Sequence, residues 1–165
     1  MARIDLDQPL LPSVLDRLLD SDPDARRDAP KSRGQHLAAL RRAVRRDLEA
    51  LLNTRQRCLS WPDDLKELDQ SLLSYGIRDF ASLNLGTDAE RVAFCQDVEN
   101  VIRRSEPRFV SVSVTLLKNQ DAVDRTMRFR IEALMYADPA PEAIVFDSFV
   151  DPAAREIKIA DGGNG

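Results

Sequence analysis

The stretch from Val98 to Leu117, VENVIRRSEPRFVSVSVTLL, contains the point at which the spacing of the apolar residues changes from helical to extended. Upstream of this point, apolar residues recur every three or four positions, as they do on one face of a helix. Downstream, polar residues alternate with an apolar set made up of Val110, Val112, Val114 and Leu116. Such alternation is typical of a strand with one buried face. The stretch therefore predicts helices before it and strands after it.

Pro107 stands where the two patterns meet. Proline lacks a backbone donor and disfavours the helical conformation of the residue before it, so the helix should end by about Ser105 and Glu106 should be extended. In extended chain, residues two apart point to the same side, which places Glu106 beside Arg108. We expect this pair to be exposed and to dock onto a partner. The alternative is a helix stop followed by two solvated charges, which contribute about 0 to 1 kcal/mol to folding.

The composition is compatible with one globular domain. The chain has 165 residues, of which 43% are hydrophobic, so it can bury one sizeable core. Its net charge is -4, which as a whole does not indicate a nucleic-acid partner, although residues 26–57 carry ten basic against three acidic residues, a net charge of +7. The two cysteines have no metal-ligand spacing, and no secretory segment or membrane-length apolar run is recognisable. We therefore expect a reduced, cytoplasmic setting.

Residues 1–20 carry a short apolar stripe formed by Leu11, Leu15, Leu18 and Leu19. A helix this short is not stable alone, so it needs a surface to lie on. Residues 21–34 are charged, contain two prolines and are typical of a flexible linker. We expect residues 1–20 to be a partner-binding arm, and the alternative is that they fold back onto the chain's own core. The domain is predicted over residues 35–160 and a disordered tail over 161–165.

Three helices are predicted before the corner. The first runs from Gln35 to Arg55 with a leucine-rich stripe towards the core. The second, shorter helix opens at Trp61 and ends at Gly76, where glycine tolerates the left-handed conformation of a helix cap. Its predicted core residues are Leu65, Leu68, Leu72 and Leu73. The third runs from Asp88 to Ser105 and begins with a capping box formed by Thr87 and Glu90.

The outer face of the first helix is strongly basic, with Arg41, Arg42, Arg45 and Arg46 turned away from the core. This face is either solvated charge, a docking surface for an acidic protein, or a site for a nucleic-acid backbone. Stacking on bases needs aromatic side chains, and none is interleaved with these arginines. Among the functional readings, a protein contact through Arg41 and Arg45 therefore ranks ahead of nucleic acid.

Three or four strands are predicted after the corner. The first is FVSVSVTLL, the second lies in TMRFRIEALM, and the third runs from Ala143 to Val150, with a short fourth strand at Glu156 to Ile159. Consecutive strands joined by short turns pair as antiparallel hairpins. The sequence therefore predicts an α+β domain in which about three N-terminal helices pack on one face of a three- or four-stranded antiparallel β-meander.

Four fragments in this order resemble one family: PSVLDRLLD (12–20), RRDLEALLNTR (45–55), SLLSYG (71–76) and EPR (106–108). The chain resembles the TssE subunit of the bacterial type VI secretion baseplate, itself similar to the small wedge protein of contractile phage tails. One departure is Phe109, where the family pattern has leucine. The resemblance implies a structural protein without cofactors that contacts other wedge subunits through Glu106, Pro107 and Arg108.

The resemblance also implies contact with contractile sheath subunits. Members of this family present the template on which the sheath begins to polymerise, and an open sheet edge can accept a strand from another chain. The implied place of action is the cytoplasm, at a secretion apparatus anchored in the inner membrane, so any membrane association is indirect.

A peptidoglycan hydrolase is an alternative, because phage relatives have carried a lysozyme-like label. Glycoside hydrolysis needs a matched pair of carboxylates. Glu106 is the only carboxylate marked by a motif, and Arg108 beside it would keep it ionised. The single histidine, His36, excludes a histidine-based metal cluster. We therefore expect no catalysis and no small-molecule substrate, with a nucleic-acid adaptor as the remaining alternative.

Overall fold

A computed structural model describes residues 14–18, 32–57, 60–62, 64–79, 87–118, 126–137, 140–151, 154 and 156–162. Its α-helices are α1 (Val14–Leu18), α2 (Arg33–Asn53) and α3 (Asp88–Ser105), with two 3-10 helices, η1 (Lys66–Gln70) and η2 (Leu72–Ser74), between α2 and α3. Its strands are β1 (Phe109–Leu117), β2 (Met127–Met135), β3 (Glu142–Asp151) and β4 (Glu156–Asp161). The predicted α+β class, with helices packed against an antiparallel meander, is confirmed.

Helix α2 starts at a capping box. The Ser32 hydroxyl accepts a hydrogen bond from the Gln35 amide, and the Gln35 side chain accepts one from the Ser32 amide at 2.7 Å. The helix therefore begins two residues earlier than predicted, and residues 33–34 of the predicted linker are helical. Its leucine-rich stripe is buried as expected, through Leu40, Val44, Leu48, Leu51 and Leu52.

The predicted second α-helix is wrong. Between η1 and η2, Ser71 is extended, and its hydroxyl donates to the Leu68 carbonyl and accepts from the Leu73 amide. Serine side chains compete in this way with the helical hydrogen-bond ladder, which leaves two short 3-10 turns. Of the four leucines expected in the core, Leu68 is partly buried, whereas three are exposed: Leu65, Leu72 and Leu73.

Gly76 has the predicted positive φ, at 95°, although it follows a 3-10 turn rather than an α-helix. Beside it, the Ile77 amide donates to the Thr54 carbonyl and the Gln56 amide donates to the Ile77 carbonyl, which joins this segment to the end of α2. A Cβ atom at position 76 would lie 2.4 Å from the Thr54 carbonyl oxygen. Only glycine fits here, because both the backbone angle and the space exclude a side chain.

The predicted bounds of helix α3 and its predicted capping box are both confirmed. The Thr87 hydroxyl accepts from the Glu90 amide, and the Glu90 carboxylate accepts from the Thr87 amide at 3.0 Å. The helix ends at Ser105, and Glu106 follows in extended conformation with φ -115° and ψ 90°. The predicted effect of Pro107 on its neighbour is therefore confirmed.

The sheet has the strand order β1-β2-β3-β4, with every pair antiparallel. Side chains alternate between a buried and an outer face, and the buried face packs against the helices. The largest buried side chains include Phe129, Ile131, Met135, Phe146 and Ile157. This arrangement is the usual one for an antiparallel sheet with one face in the core.

Two details of the sheet differ from the predictions. Val110, predicted on the buried face, is 44% exposed, because the register shifts between Phe109 and Ser111 and Phe109 packs against the core instead. Strand β4 reaches Asp161, and the Gly162 amide donates to the Val145 carbonyl at 2.9 Å. The beginning of the predicted tail is therefore part of the sheet, and residues 163–165 lie outside the described residues.

Replacing Gly76 by alanine should lower the free energy of unfolding by at least about 2 kcal/mol, because a strained φ and a backbone clash act together. Gly34, inside the first turn of α2, is the matched control, since a Cβ there would meet nothing closer than 4.0 Å. Gly34→Ala should raise stability by up to about 1 kcal/mol. Urea unfolding of both variants measures the difference, and equal effects would contradict this account of Gly76.

Candidate partner-binding site

The corner between α3 and β1 has its backbone fixed on both sides. The Glu106 amide donates to the Ile102 carbonyl at 2.8 Å, which ties it to the last turn of α3. The Arg108 carbonyl accepts from the Tyr136 amide at 2.8 Å, which ties it to the end of β2. The side chains of residues 106 and 108 therefore leave a backbone that the helix and the sheet both hold.

Glu106 and Arg108 form a forked ion pair. One carboxylate oxygen, Oε1, accepts from Arg108 Nε at 2.6 Å and from the Arg108 amide at 3.1 Å, while Oε2 accepts from Nη2 at 2.5 Å. The prediction that the two charged groups lie side by side is confirmed. The prediction that they are exposed is wrong, because the side chains are only 7% and 23% exposed.

Asp47 on α2 is the third member of this cluster, and sequence reasoning missed it. Its Oδ2 accepts from Arg108 Nη2 at 2.7 Å. Its Oδ1 accepts from Arg46 Nε at 3.1 Å and Arg46 Nη2 at 2.9 Å. The available signal was an acidic residue directly after the arginines of a basic helix. No spacing rule, however, relates position 47 to position 108.

Electrostatics keep the Arg108 guanidinium charged. Its pKa is raised above the ordinary arginine value, first because Glu106 accepts its hydrogen bonds, with burial opposing and Asp47 adding to the rise. Burial and the charges of Asp47 and Glu106 also raise the pKa of Tyr75, which belongs to the SLLSYG fragment. In the described part of the chain, no acceptor bonds to Arg108 Nη1. Within the described residues, the corner is therefore a cationic group held by hydrogen bonds from Nε and Nη2, with none from Nη1.

The arm helix α1 lies next to this cluster. Asp16 Oδ1 accepts from Arg46 Nη2 at 2.8 Å, and its side chain is only 10% exposed. Two predicted contact residues, Leu15 and Leu18, are exposed to solvent, as is Val14, with Leu18 at 75%. Leu11 and Leu19 lie outside the described residues. Among the described residues, α1 thus contacts the domain through Asp16 and exposes its apolar side chains to solvent.

Arg41 and Arg45 on the basic face of α2 both reach the sheet. Arg41 Nη2 donates at 3.4 Å to the carbonyl of Ala143, near the start of β3, and Arg45 pairs at 3.3 Å with Asp161, the last residue of β4. Together with residues 143–146 in the first half of β3, they line a groove of about 390 Å³. The basic face is therefore partly matched by groups of its own domain, which weakens the argument for a phosphate backbone as its partner.

The described residues contain no group of three or more His, Cys, Asp or Glu residues that could hold a metal ion. Within the same residues, no helix is both long enough and apolar enough to cross a bilayer.

The structure is thus an α+β domain with helices on one face of its sheet, a partly buried charged corner, and exposed apolar side chains on α1. The chain belongs to the family of the baseplate wedge protein gp25, whose family model matches residues 38–140. That range contains the corner and Asp47, and it leaves out α1 and β3–β4. No curated protein matches the sequence.

Family membership makes the chain a structural component of the baseplate wedge of a contractile tail-like machine. The family is structural and non-enzymatic, so the prediction that the chain is not an enzyme is confirmed. Membership also implies contact with other baseplate proteins.

Replacing Arg108 by alanine should lower the free energy of unfolding by about 1 to 3 kcal/mol, because the buried carboxylate of Glu106 loses its counter-charge. The matched control is Arg103→Ala, since Arg103 also pairs with a glutamate, Glu99, but is 59% exposed. The control should change stability by less than about 1 kcal/mol. Thermal or urea unfolding distinguishes the two, and equal losses would show that the corner pair behaves as a surface pair.

Proposed function

We propose that this protein is the TssE-type wedge subunit of a type VI secretion baseplate, which binds other wedge subunits and helps to initiate sheath polymerisation. Support comes from the family match and from the four TssE-like fragments in their expected order. In this proposal the protein acts in the cytoplasm and is recruited to an apparatus anchored in the inner membrane.

The observation that carries the proposal is the orientation of Arg108. Three hydrogen bonds from its side chain to Glu106 and Asp47 fix the guanidinium. Among the described residues no acceptor is bonded to Nη1, and we propose that this group donates to another chain. Ordering a long side chain at an interface normally opposes binding, and here the fold has already ordered it. A carboxylate or a carbonyl oxygen of another wedge subunit is the matching partner group.

The sheet edges are the second proposed contact, with a strand from a sheath subunit. Both edges are partly covered by helix side chains. On β4, Asn53 Nδ2 donates to the Ile157 carbonyl at 2.9 Å, and the Ile157 amide donates to Asn53 Oδ1 at 2.8 Å. On β1, the Val114 amide donates to Glu99 Oε2 at 3.0 Å. A partner strand must therefore either avoid these positions or displace the side chains.

Arg108→Lys tests the proposal, because lysine keeps the charge but cannot reproduce the fork that holds Glu106 and Asp47 while leaving one nitrogen for a partner. Binding to the larger wedge subunits from the same secretion locus should weaken at least about tenfold. Sheath assembly, followed with a fluorescent sheath subunit in cells, should fail. Unfolding curves of the purified variant check that the domain is intact.

The matched control is Arg103→Lys, on the exposed last turn of α3, which should bind and assemble normally. If Arg108→Lys assembles sheaths as often as the wild type, the corner is not the contact surface. Binding to heparin or DNA with a steep salt dependence, without co-purification of baseplate subunits, would instead favour the nucleic-acid alternative.

A further inference from the structure

Five charged side chains connect the arm to the corner. The order is Asp16, Arg46, Asp47, Arg108 and Glu106, and each neighbouring pair is joined by at least one hydrogen bond of 2.9 Å or less. The two terminal carboxylates are the most buried, at 10% and 7% exposure. Charges in such positions are screened less by solvent than charges on an open surface.

These five side chains comprise three carboxylates and two guanidiniums, so together they carry a net charge of -1. Arg46 is shared by Asp16 and Asp47, two acids that would otherwise repel each other. Arg108 offsets the charge of Asp47 from the other side. The attraction that holds Asp16 to Arg46 therefore depends on how well Asp47 is neutralised by the corner.

Arm helix α1 is too short to hold its position by itself. It has five residues, and a helix of that length is not stable without tertiary contacts. Its apolar side chains at positions 14, 15 and 18 are exposed rather than packed into the core. Its position is therefore sensitive to the charge at Asp16.

We propose that Arg46 and Asp47 are positioning residues that couple the arm to the corner, so that the charge at the corner sets how tightly the arm is held. Only the biological role of the coupling rests on the proposed function. In that role, a partner that binds Arg108 would release or retain the apolar arm. The coupling itself is a property of the isolated protein. It predicts effects of opposite sign for the two corner residues.

Removing the positive charge of Arg108 leaves Asp47 less compensated, so the arm should be held less tightly. Removing the negative charge of Glu106 leaves Arg108 better able to offset Asp47, so the arm should be held more tightly. We call α1 docked when Asp16 is bound to Arg46 and undocked when it is not. From the usual strength of partly exposed pairs, each substitution should change the ratio of docked to undocked molecules about two- to fivefold.

The ratio can be measured by double electron–electron resonance between nitroxides at positions 18 and 50. Both positions are exposed, so Leu18→Cys and Ala50→Cys add labels without disturbing the core. Cys58→Ser removes one native thiol. Cys95 can stay, because it is buried and burial raises its pKa to about 11, which suppresses labelling. The salt concentration is chosen so that both arm populations are measurable.

In this protein, Arg108→Gln should lower the docked-to-undocked ratio and Glu106→Gln should raise it. Arg103→Gln, which removes a charge outside this row of five side chains, should leave the ratio unchanged. In an Asp16→Asn background, the corner substitutions should lose their effect. Should Arg108→Gln fail to fold, Glu106→Gln still decides the question, because the coupling requires this variant to raise the ratio.

Equal ratios in Arg108→Gln and Arg103→Gln, or shifts of the same sign for the two corner residues, would overturn the coupling. Because the measurement needs no partner, its outcome is separate from the assembly test. A variant that moves the arm but still binds wedge subunits would sustain the coupling and contradict the proposed function. A variant that leaves the arm in place but no longer binds wedge subunits would support the proposed function and contradict the coupling.

Discussion

The ion pair of Glu106 and Arg108, held by Asp47, is the interaction on which the arrangement of this protein depends. It sits where α3 ends and β1 begins, and through Asp47 it also connects these elements to α2. A partly buried charge pair of this kind adds little net stability compared with apolar packing, but it is costly to break on one side. The corner is therefore charged and held by hydrogen bonds on several sides, and we expect its stability to be sensitive to substitution.

A corner held in place by hydrogen bonds is compatible with the docking proposed for it. Arg108 commits its Nε and Nη2 groups to its own domain, and in the proposed contact its Nη1 group donates to the partner. A gp25-type wedge subunit has to join other baseplate proteins, and a preorganised donor reduces the entropy lost when they associate. An experiment on a corner variant must therefore distinguish loss of assembly from loss of folding. Charge-conserving substitutions such as Arg108→Lys make this distinction possible.

Local patterns were sufficient to predict much of the fold. The capping box at Thr87, the effect of Pro107 and the alternation in β2 each depend on residues close in sequence, and each is confirmed. The prediction of a second α-helix was wrong because Ser71 forms hydrogen bonds with neighbouring backbone groups that compete with the helical ones, although the leucines have helical spacing. The prediction that Val110 is buried was wrong because a bulge shifts the register of β1, and the alternation of apolar residues gives no sign of that bulge.

The site was predicted only in part for a related reason. The proximity of Glu106 and Arg108 follows from strand geometry, but their burial and the role of Asp47 depend on how α2 crosses the corner, which is a contact over 61 positions of sequence. The same holds for Asp16 and Arg46, 30 positions apart. Tertiary contacts of this kind have no local signature, so the arm and the corner appeared as separate features.

The most direct test of the central claim is site-specific photo-crosslinking from position 110 in assembling cells. Val110 is exposed beside the corner, whereas Ser113, also exposed on β1, lies three residues further along the strand and serves as the control. A photoreactive residue at 110 should crosslink to another baseplate wedge subunit, and one at 113 should do so much less. Crosslinks from 113 alone, or none from 110 in assembled baseplates, would contradict the claim that this corner is the contact surface.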